Sequence, residues 1–284
     1  MNLIDCIRRW VPRSWRNALR RPAATRQRLV AKWRHSLGLD ESLQPMPGWD
    51  LRCHPLCVEE FRAFEVDPEQ QKELHSFVAH CRPGMYFMDV GAHWGMFTLA
   101  ALHHGGPAAR CLDIEASDAA ARVLQDNLVL NGGAERVLLI NAACGDHPGQ
   151  LNMLTTGAGG ADYFVVPHTE RPDCIKVEQV TIDQMSARHH FLPSHLKVDV
   201  EGYELEVLRG AEQVLREQRP LLFLELHGDF IRRRGGDPEQ VLQWLTECGY
   251  VHWRDVGGEA LLLDAIRSRQ HNLRLIASAE ALLH

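Results

Sequence analysis

The stretch MYFMDVGAHWGMFTLAAL, Met85 to Leu102, reads as an apolar strand, an acid, a glycine turn and a helix. Trp94, Phe97, Ala100 and Ala101 recur at helical spacing after the turn. Glycines let a backbone approach a ligand closely, and a helix N-terminus favours negative charge there. A dinucleotide-binding turn would carry G-x-G-x-x-G for a pyrophosphate. This turn is G-x-x-x-G, formed by Gly91 and Gly95 and preceded by Asp89. An acid at that place repels a pyrophosphate but suits a ligand carrying an ammonium or sulfonium charge.

Working outward, short apolar runs alternate with helical patterns. Arg110–Ile114 predicts a second strand, and Ser117 or Asp118 caps a helix through Ala121, Leu124 and Leu128 that stops at Gly132-Gly133. Val137–Ala142, Leu196–Val200 and Leu221–Leu226 predict three more strands. A helix with Leu205, Leu208, Ala211 and Leu215 on one face follows the fourth, and Asp237-Pro238 opens another after the fifth. Val251–Asp255 and Ala260–Ala265 flank Gly257-Gly258 and predict a closing antiparallel hairpin. The expectation is an α/β fold: a Rossmann-like sandwich on a mostly parallel, seven-stranded sheet with an antiparallel C-terminal hairpin. Residues 149–180 break the rhythm and read as an inserted hairpin or loop over the ligand face. Residues 46–84 are expected to be a helical lead-in to a domain at 85–284, and residues 1–45 a basic helical arm.

Of 284 residues, 45% are hydrophobic and 24% charged, which describes a soluble globular chain. No apolar run approaches the length of a membrane span, and no apolar segment with a cleavage site opens the sequence. Eight scattered cysteines suit reduced thiols and a cytoplasmic location. Only Cys53-His54-Pro55-Leu56-Cys57 has anything like zinc-ligand spacing, and no second Cys/His pair accompanies it.

Charge is unevenly spread. Ten of the 31 basic residues, but one of the 37 acidic residues, fall within residues 1–39. Leu3, Ile7, Trp10/Val11, Trp15 and Leu19 recur among Arg8, Arg9, Arg13, Arg16 and Arg20. Two readings of this arm stay open: peripheral contact with an anionic membrane, at the inner face for a cytoplasmic protein, or packing on its own domain or a homodimer partner. The acidic body argues against a nucleic-acid partner.

The second strand ends in Asp113-Ile114-Glu115, with Glu115 twenty residues after Gly95. An acid there accepts hydrogen bonds from both hydroxyls of a ribose. With Asp89 ahead of the glycine turn, this selects S-adenosylmethionine (SAM) over NAD.

Together FMDVGAHWGMFTLA, DIEASDAAARVLQDNLVLNG, INAACGD and LKVDVEGYELEVLRGAEQVLREQRPLLFLELHG resemble the FkbM-type methyltransferase family over about residues 85–265. The most specific piece is the Lys-x-Asp-x-Glu-Gly block with its Glu-x-x-x-Leu-x-Gly continuation. The resemblance implies a class I, SAM-dependent enzyme that O-methylates a hydroxyl of a sugar, polyketide or other secondary metabolite. It implies that Asp89, Gly91, Ala92, His93 and Gly95 frame the methionine end of SAM. Glu115 and Ala116 would hold the ribose, and Asn141, Ala142 and Ala143, with Asp146 nearby, would border the adenine. His93 departs from the family's usual Asn, and Ala116 from its common Pro.

Lys197, Asp199 and Glu201 alternate with Leu196, Val198 and Val200, and a charged face on a core strand needs partners. Both they and Glu225 and His227 approach carboxyl ends of strands, where open α/β sheets bind ligands. Methyl transfer needs an aligned acceptor oxygen and a group to take its proton. Asp199 and His227 are the candidate bases, with Glu201 and Glu225 binding acceptor hydroxyls. A structural Lys197–Asp199 ion pair is the plain alternative, as is a helix-end role for Glu201. A third reading seats a divalent cation among Asp199, Glu201, Glu225 and His227. The function expected is SAM-dependent O-methylation of a saccharide, glycan or secondary metabolite. Two other classes stay open: a methyltransferase acting on protein or RNA, and a non-catalytic SAM-binding protein.

Overall fold

The computed structural model describes residues 22–156, 162–165, 174–267 and 272–281. The arm's pattern over Leu3–Leu19 lies outside them. Helix α1 (Pro22–Ser36) leads to a hairpin of β1 (Glu41–Met46) and β2 (Trp49–Cys53) and to helices α2 (Val58–Val66) and α3 (Pro68–His80). Then follow β3 (Tyr86–Val90), α4 (Met96–His104), β4 (Arg110–Ile114), α5 (Asp118–Leu130) and β5 (Val137–Ile140). Strands β6 (Ala143–Cys144), β7 (Gly149–Thr156), β8 (Asp162–Val165) and β9 (Cys174–Val180) precede α6 (Ile182–His189). The chain closes with β10 (His195–Val198), α7 (Glu204–Arg209), β11 (Leu221–Leu226), α8 (Gly228–Arg233), α9 (Glu239–Glu247), β12 (His252–Asp255), α10 (Leu263–Arg267) and β13 (Leu273–Ser278).

The main sheet has seven strands in the order β12-β13-β11-β10-β3-β4-β5. The five from β11 to β5 are parallel, while β13 runs antiparallel to both neighbours. Alternate strand residues feed two cores. Phe87, Cys111 and Phe223 join α2–α5 on one face, and Met88, Leu112, Leu196 and Leu222 join α6, α7 and α9 on the other. Helix α3 begins where Asp67 caps two backbone N–H groups and Pro68 occupies the first turn. In α5, Ser117 Oγ accepts from Ala120 N at 3.2 Å, as its sequence position predicts.

Three expectations need correction. The closing hairpin does not pair Val251–Asp255 with Ala260–Ala265: Ala260 makes only a single bridge to Arg254, and the strand partner is β13. A strand between β11 and β12 is covered on both faces, and β13 supplies buried Leu275, Ile276 and Ala277, whereas Leu262 is 79% exposed. The lead-in is not helical throughout, because Trp49, Leu51 and Cys53 alternate with exposed Asp50 and Arg52 as a strand. Pro47-Gly48, with Gly48 at φ +80°, was the turn signal for that hairpin. The insertion is more than a loop: β6, β9, β7 and β8 form a separate four-stranded sheet.

Cys53 and Cys57 are buried thiols. Cys57 Sγ donates to the His54 carbonyl at 3.1 Å, so the Cys-His-Cys stretch is a packed turn rather than a zinc site. Among the described residues no helix is long and apolar enough to cross a membrane.

Candidate active site

The registers of the central strands explain the charges on the core strand. Lys197 lies opposite Asp89, and Asp89 opposite Asp113, so the three form one row across β10, β3 and β4. Lys197 is 4% exposed and its Nζ lies 2.8 Å from Asp199 Oδ2. Burial alone would lower its pKa, but Asp199, Asp89, Glu73 and Glu225 outweigh burial and raise it. Thr98 Oγ1 sits 3.2 Å from Asp89 Oδ2 and 2.9 Å from Asp113 Oδ2. One hydroxyl proton serves one carboxylate. Burial, reinforced by the Asp89 charge, pushes Asp113 well above the usual carboxylate range, and burial pushes Asp89 up to about 6.

The glycine turn leans directly on the neighbouring strand tip. A Cβ on Gly91, at φ +84°, would stand 1.8 Å from the Asp199 carbonyl oxygen, so only glycine fits between β3 and β10. His93 occupies the left-handed region at φ +50°. That conformation is where Asn is several-fold enriched and His is also tolerated, which accounts for the departure from the family's usual residue. The His93 ring stacks on Trp94, and its Nδ1 lies 2.9 Å from Glu60 Oε1.

Glu115, at the tip of β4, accepts from the backbone N–H groups of His93 at 2.8 Å and Ser117 at 2.6 Å. These bonds tie the β4 tip to the glycine turn. Burial raises its pKa, opposed by His93 and the two backbone bonds. Asn141 Nδ2 donates to the Glu115 carbonyl at 2.8 Å, fixing the loop beneath the acid.

Two cavities open at the carboxyl ends of these strands, as the topology requires. The first, about 290 Å³, is lined by Gly91, His93, Glu115, Ala116, Ala142, Ala143, Asp199 and Glu201, and by Met153 and Val165 from the inserted sheet. The second, about 190 Å³, takes in Asp89, Gly91, Ala92, His93, Gly95, Asp199 and Glu225, with Glu73 and Arg274. Glu60, Gly91, His93 and Asp199 are common to both. Asn141 and His227 line neither cavity, and Asp146 pairs with His147 at 2.6 Å instead.

The acids at the tips differ in their electrostatics. Burial would raise Asp199, but Lys197 and His227 outweigh it and hold its carboxyl below the usual range. Burial, with Asp199 and Glu225 adding to it against His227, pushes Glu201 up to about 7. Glu201 has left the strand: at φ +54°, ahead of Gly202 at +91°, it turns into the first cavity. Burial raises Glu225 too, and the Asp199 charge adds to it. His227 is buried, yet its bond to Glu204 and the charges of Asp199, Glu204 and Glu201 bring its pKa up to about 9.

Sequence reasoning missed Glu60, Glu73, Tyr203, Glu204, Arg274, Met153 and Val165, all of which touch the cavities or their acids. Glu204 alone had a local signal, as the Glu that opens the Glu-x-x-x-Leu-x-Gly continuation. Tyr203 stands next to it at the start of α7, and the others reach the site from α2, α3, the inserted sheet and β13, contacts without a local pattern.

The Methyltransferase FkbM domain model matches residues 89–251, more than half of the chain and all of the strands that carry the site except β13. No curated protein sequence matches the chain. Among solved structures it is similar to methyltransferase FkbM from Methylobacillus flagellatus KT at 15% identity and a TM-score of 0.45. That match covers 76% of this chain and 53% of the other, so the chain spans about half of that relative's length. It is similar to an O-methyltransferase from Bacillus cereus in complex with SAH at 12% identity and a TM-score of 0.41, covering 75% and 81% of the two chains. A precorrin-6y C5,15-methyltransferase from Geobacter metallireducens GS-15 matches at 13% identity and a TM-score of 0.41, covering 75% and 88%. On the strength of the domain match, the chain belongs to the FkbM methyltransferase family.

Proposed function

We propose that the protein is a SAM-dependent O-methyltransferase whose acceptor is a hydroxyl of a saccharide or secondary metabolite. The observation that carries this reading is a single cavity flanked by Glu115 on one side and by Asp199 and Glu201 on the other. The residues suit SAM. Asp89 Oδ1 is buried without a hydrogen-bond partner among the described residues, beside a glycine turn with no room for a side chain. An orphaned buried carboxylate oxygen is costly unless a ligand donor reaches it, and the SAM ammonium is such a donor. Glu115 would hold the ribose, and Ala142 and Ala143 would leave space for the adenine.

When bound, SAM supplies an electrophilic methyl on a sulfonium, and the C–S bond breaks as the C–O bond to the acceptor forms. The chain's part is to align the acceptor oxygen and receive its proton. Glu201 is the best placed to receive it, because it faces the cavity with a pKa of about 7. A base works best when its pKa lies near the working pH. Asp199, held ionised, orients the acceptor. His227 lines neither cavity, so it falls to a supporting place.

Calorimetry with SAM, followed by mass spectrometry of metabolite and glycan extracts incubated with protein and SAM, tests the reading. A gain of one methyl on a hydroxyl, lost in Glu201→Gln, is the expected result. Methylation of protein or RNA alone would replace the acceptor class. SAM binding without any transfer would leave a binding protein.

A further inference from the structure

Carboxylates crowd the tips of β3, β10 and β11. Among the described residues, Asp89, Asp199, Glu225 and Glu73 face the permanent cations Lys197 and Arg274, while Glu201 and Glu204 face His227. Such a cluster calls for protons or for a cation.

The His227 ring points to the second. It is 4% exposed, and its Nδ1 lies 2.8 Å from Glu204 Oε1. Glu204 is itself fully buried and accepts from the Gly202 N–H at 2.9 Å. That arrangement fixes the ring and turns Nε2 toward the acids, as a second-shell carboxylate does for a metal-binding histidine. Yet Nε2 makes no hydrogen bond among the described residues. The carboxylate oxygens around it are Glu201 Oε2 at 3.5 Å, Glu225 Oε1 at 3.7 Å and Asp199 Oδ1 at 3.8 Å. All three lie beyond the roughly 2.7–3.2 Å of an N–H···O bond.

The spacing suits a shared ion instead. Ligands bonded at about 2.1 Å to a six-coordinate cation stand ~3.0 Å apart at right angles and ~4.2 Å apart across it. His227 Nε2 stands within that range of Glu201 Oε2, at 3.5 Å, and of Asp199 Oδ1, at 3.8 Å, and ligand atoms of all three residues lie within 4.8 Å of one another, so a small closure would seat the ion. Asp199 is divided to match, with Oδ2 on Lys197 and Oδ1 toward His227.

We propose that Asp199, Glu201 and His227 form a divalent-cation site, with Glu225 at its edge. One imidazole with carboxylate oxygens suits Mn²⁺ or Zn²⁺. The role assigned to the ion rests on the reading of the crevice as a methyl-transfer site. Facing the first cavity, it would lower the pKa of an acceptor hydroxyl. Glu201 would bind it through Oε2, leaving its other oxygen for the departing proton.

The test is binding of metal alone. Chelator-stripped full-length protein is titrated with Mn²⁺ while free ion is followed by electron paramagnetic resonance, and with Zn²⁺ against a chromophoric chelator. Stoichiometric binding is expected, weakened about tenfold or more by His227→Ala and by Glu201→Gln. SAM affinity, measured by calorimetry on His227→Ala, whose imidazole lines neither cavity, is expected to stay unchanged. Binding of neither metal, or equal binding by wild type and variants, overturns the cation site. If SAM still binds and transfer persists in excess chelator, the cation fails while the methyltransferase reading stands. Should His227→Ala not fold, Glu201→Gln carries the comparison, since its side chain is 39% exposed.

Discussion

Glu201 offers the sharpest prediction, because its carboxyl titrates where enzymes are assayed. Its pKa is about 7 in the folded protein when no cation sits on its Oε2, raised by burial and by Asp199 and Glu225, and a bound cation would move the rise below to lower pH. The working form is the carboxylate, so activity is lost as pH falls through 7 and is present above it. With that pKa, roughly 10% of the protein is competent at pH 6 and roughly 90% at pH 8. Acceptor kcat/KM should therefore rise about tenfold between those values. The assay is initial rate against pH at saturating SAM, which removes the separate titration of Asp89 near 6 from the profile. Glu201→Gln should lower the rate about 100-fold or more and flatten the profile over this range. A wild-type profile already flat from pH 6 to 8, or a Gln variant that keeps the wild-type slope, would refute the assignment.

Gly91→Ala should abolish SAM binding, because its Cβ would strike the Asp199 carbonyl; Gly48→Ala, at φ +80° with nothing within 4 Å, incurs only the backbone strain of about 1–2 kcal/mol and should bind SAM normally in calorimetry. Asp113 holds its proton in the folded state and releases it on unfolding, so its contribution to stability falls as pH rises above the ordinary carboxylate range. Asp113→Asn keeps the neutral shape, so its Tm relative to wild type should climb between pH 5 and pH 8, and a relative Tm that falls would contradict the pairing with Asp89. Helix α1 and the turn after it expose Leu29, Trp33 and Leu37, spaced four apart, beside Lys32. We expect the full chain to float with anionic but not neutral vesicles, and Leu29→Ser with Trp33→Ser to weaken that flotation; unchanged flotation would favour another cover for the arm.

The parallel core was legible because each strand is a short apolar run closed by its own turn signal. Met85–Val90 with Gly91, and Arg110–Ile114 with Glu115, fixed both ends of the proposed SAM cradle from local pattern alone. The Lys197–Asp199 pair was legible too, as two charges on one face of a buried strand. Three features were not. Alternation places Glu201 on the strand face, but its left-handed backbone swings it into the cavity, a departure that period-two reasoning cannot see. The direction of the His227 ring depends on Glu204, 23 residues away in sequence. The partner of β12 depends on which segment can fill a doubly covered place in the sheet, a tertiary choice that the nearer Gly257-Gly258 turn disguises.

SAM binding tests the central claim most directly. Calorimetric titration of SAM into the full-length chain should show one site per chain, competed by S-adenosylhomocysteine and lost in Glu115→Ala with the fold intact by circular dichroism. No heat of binding from folded wild-type protein, or SAM affinity indifferent to Glu115, would contradict the account.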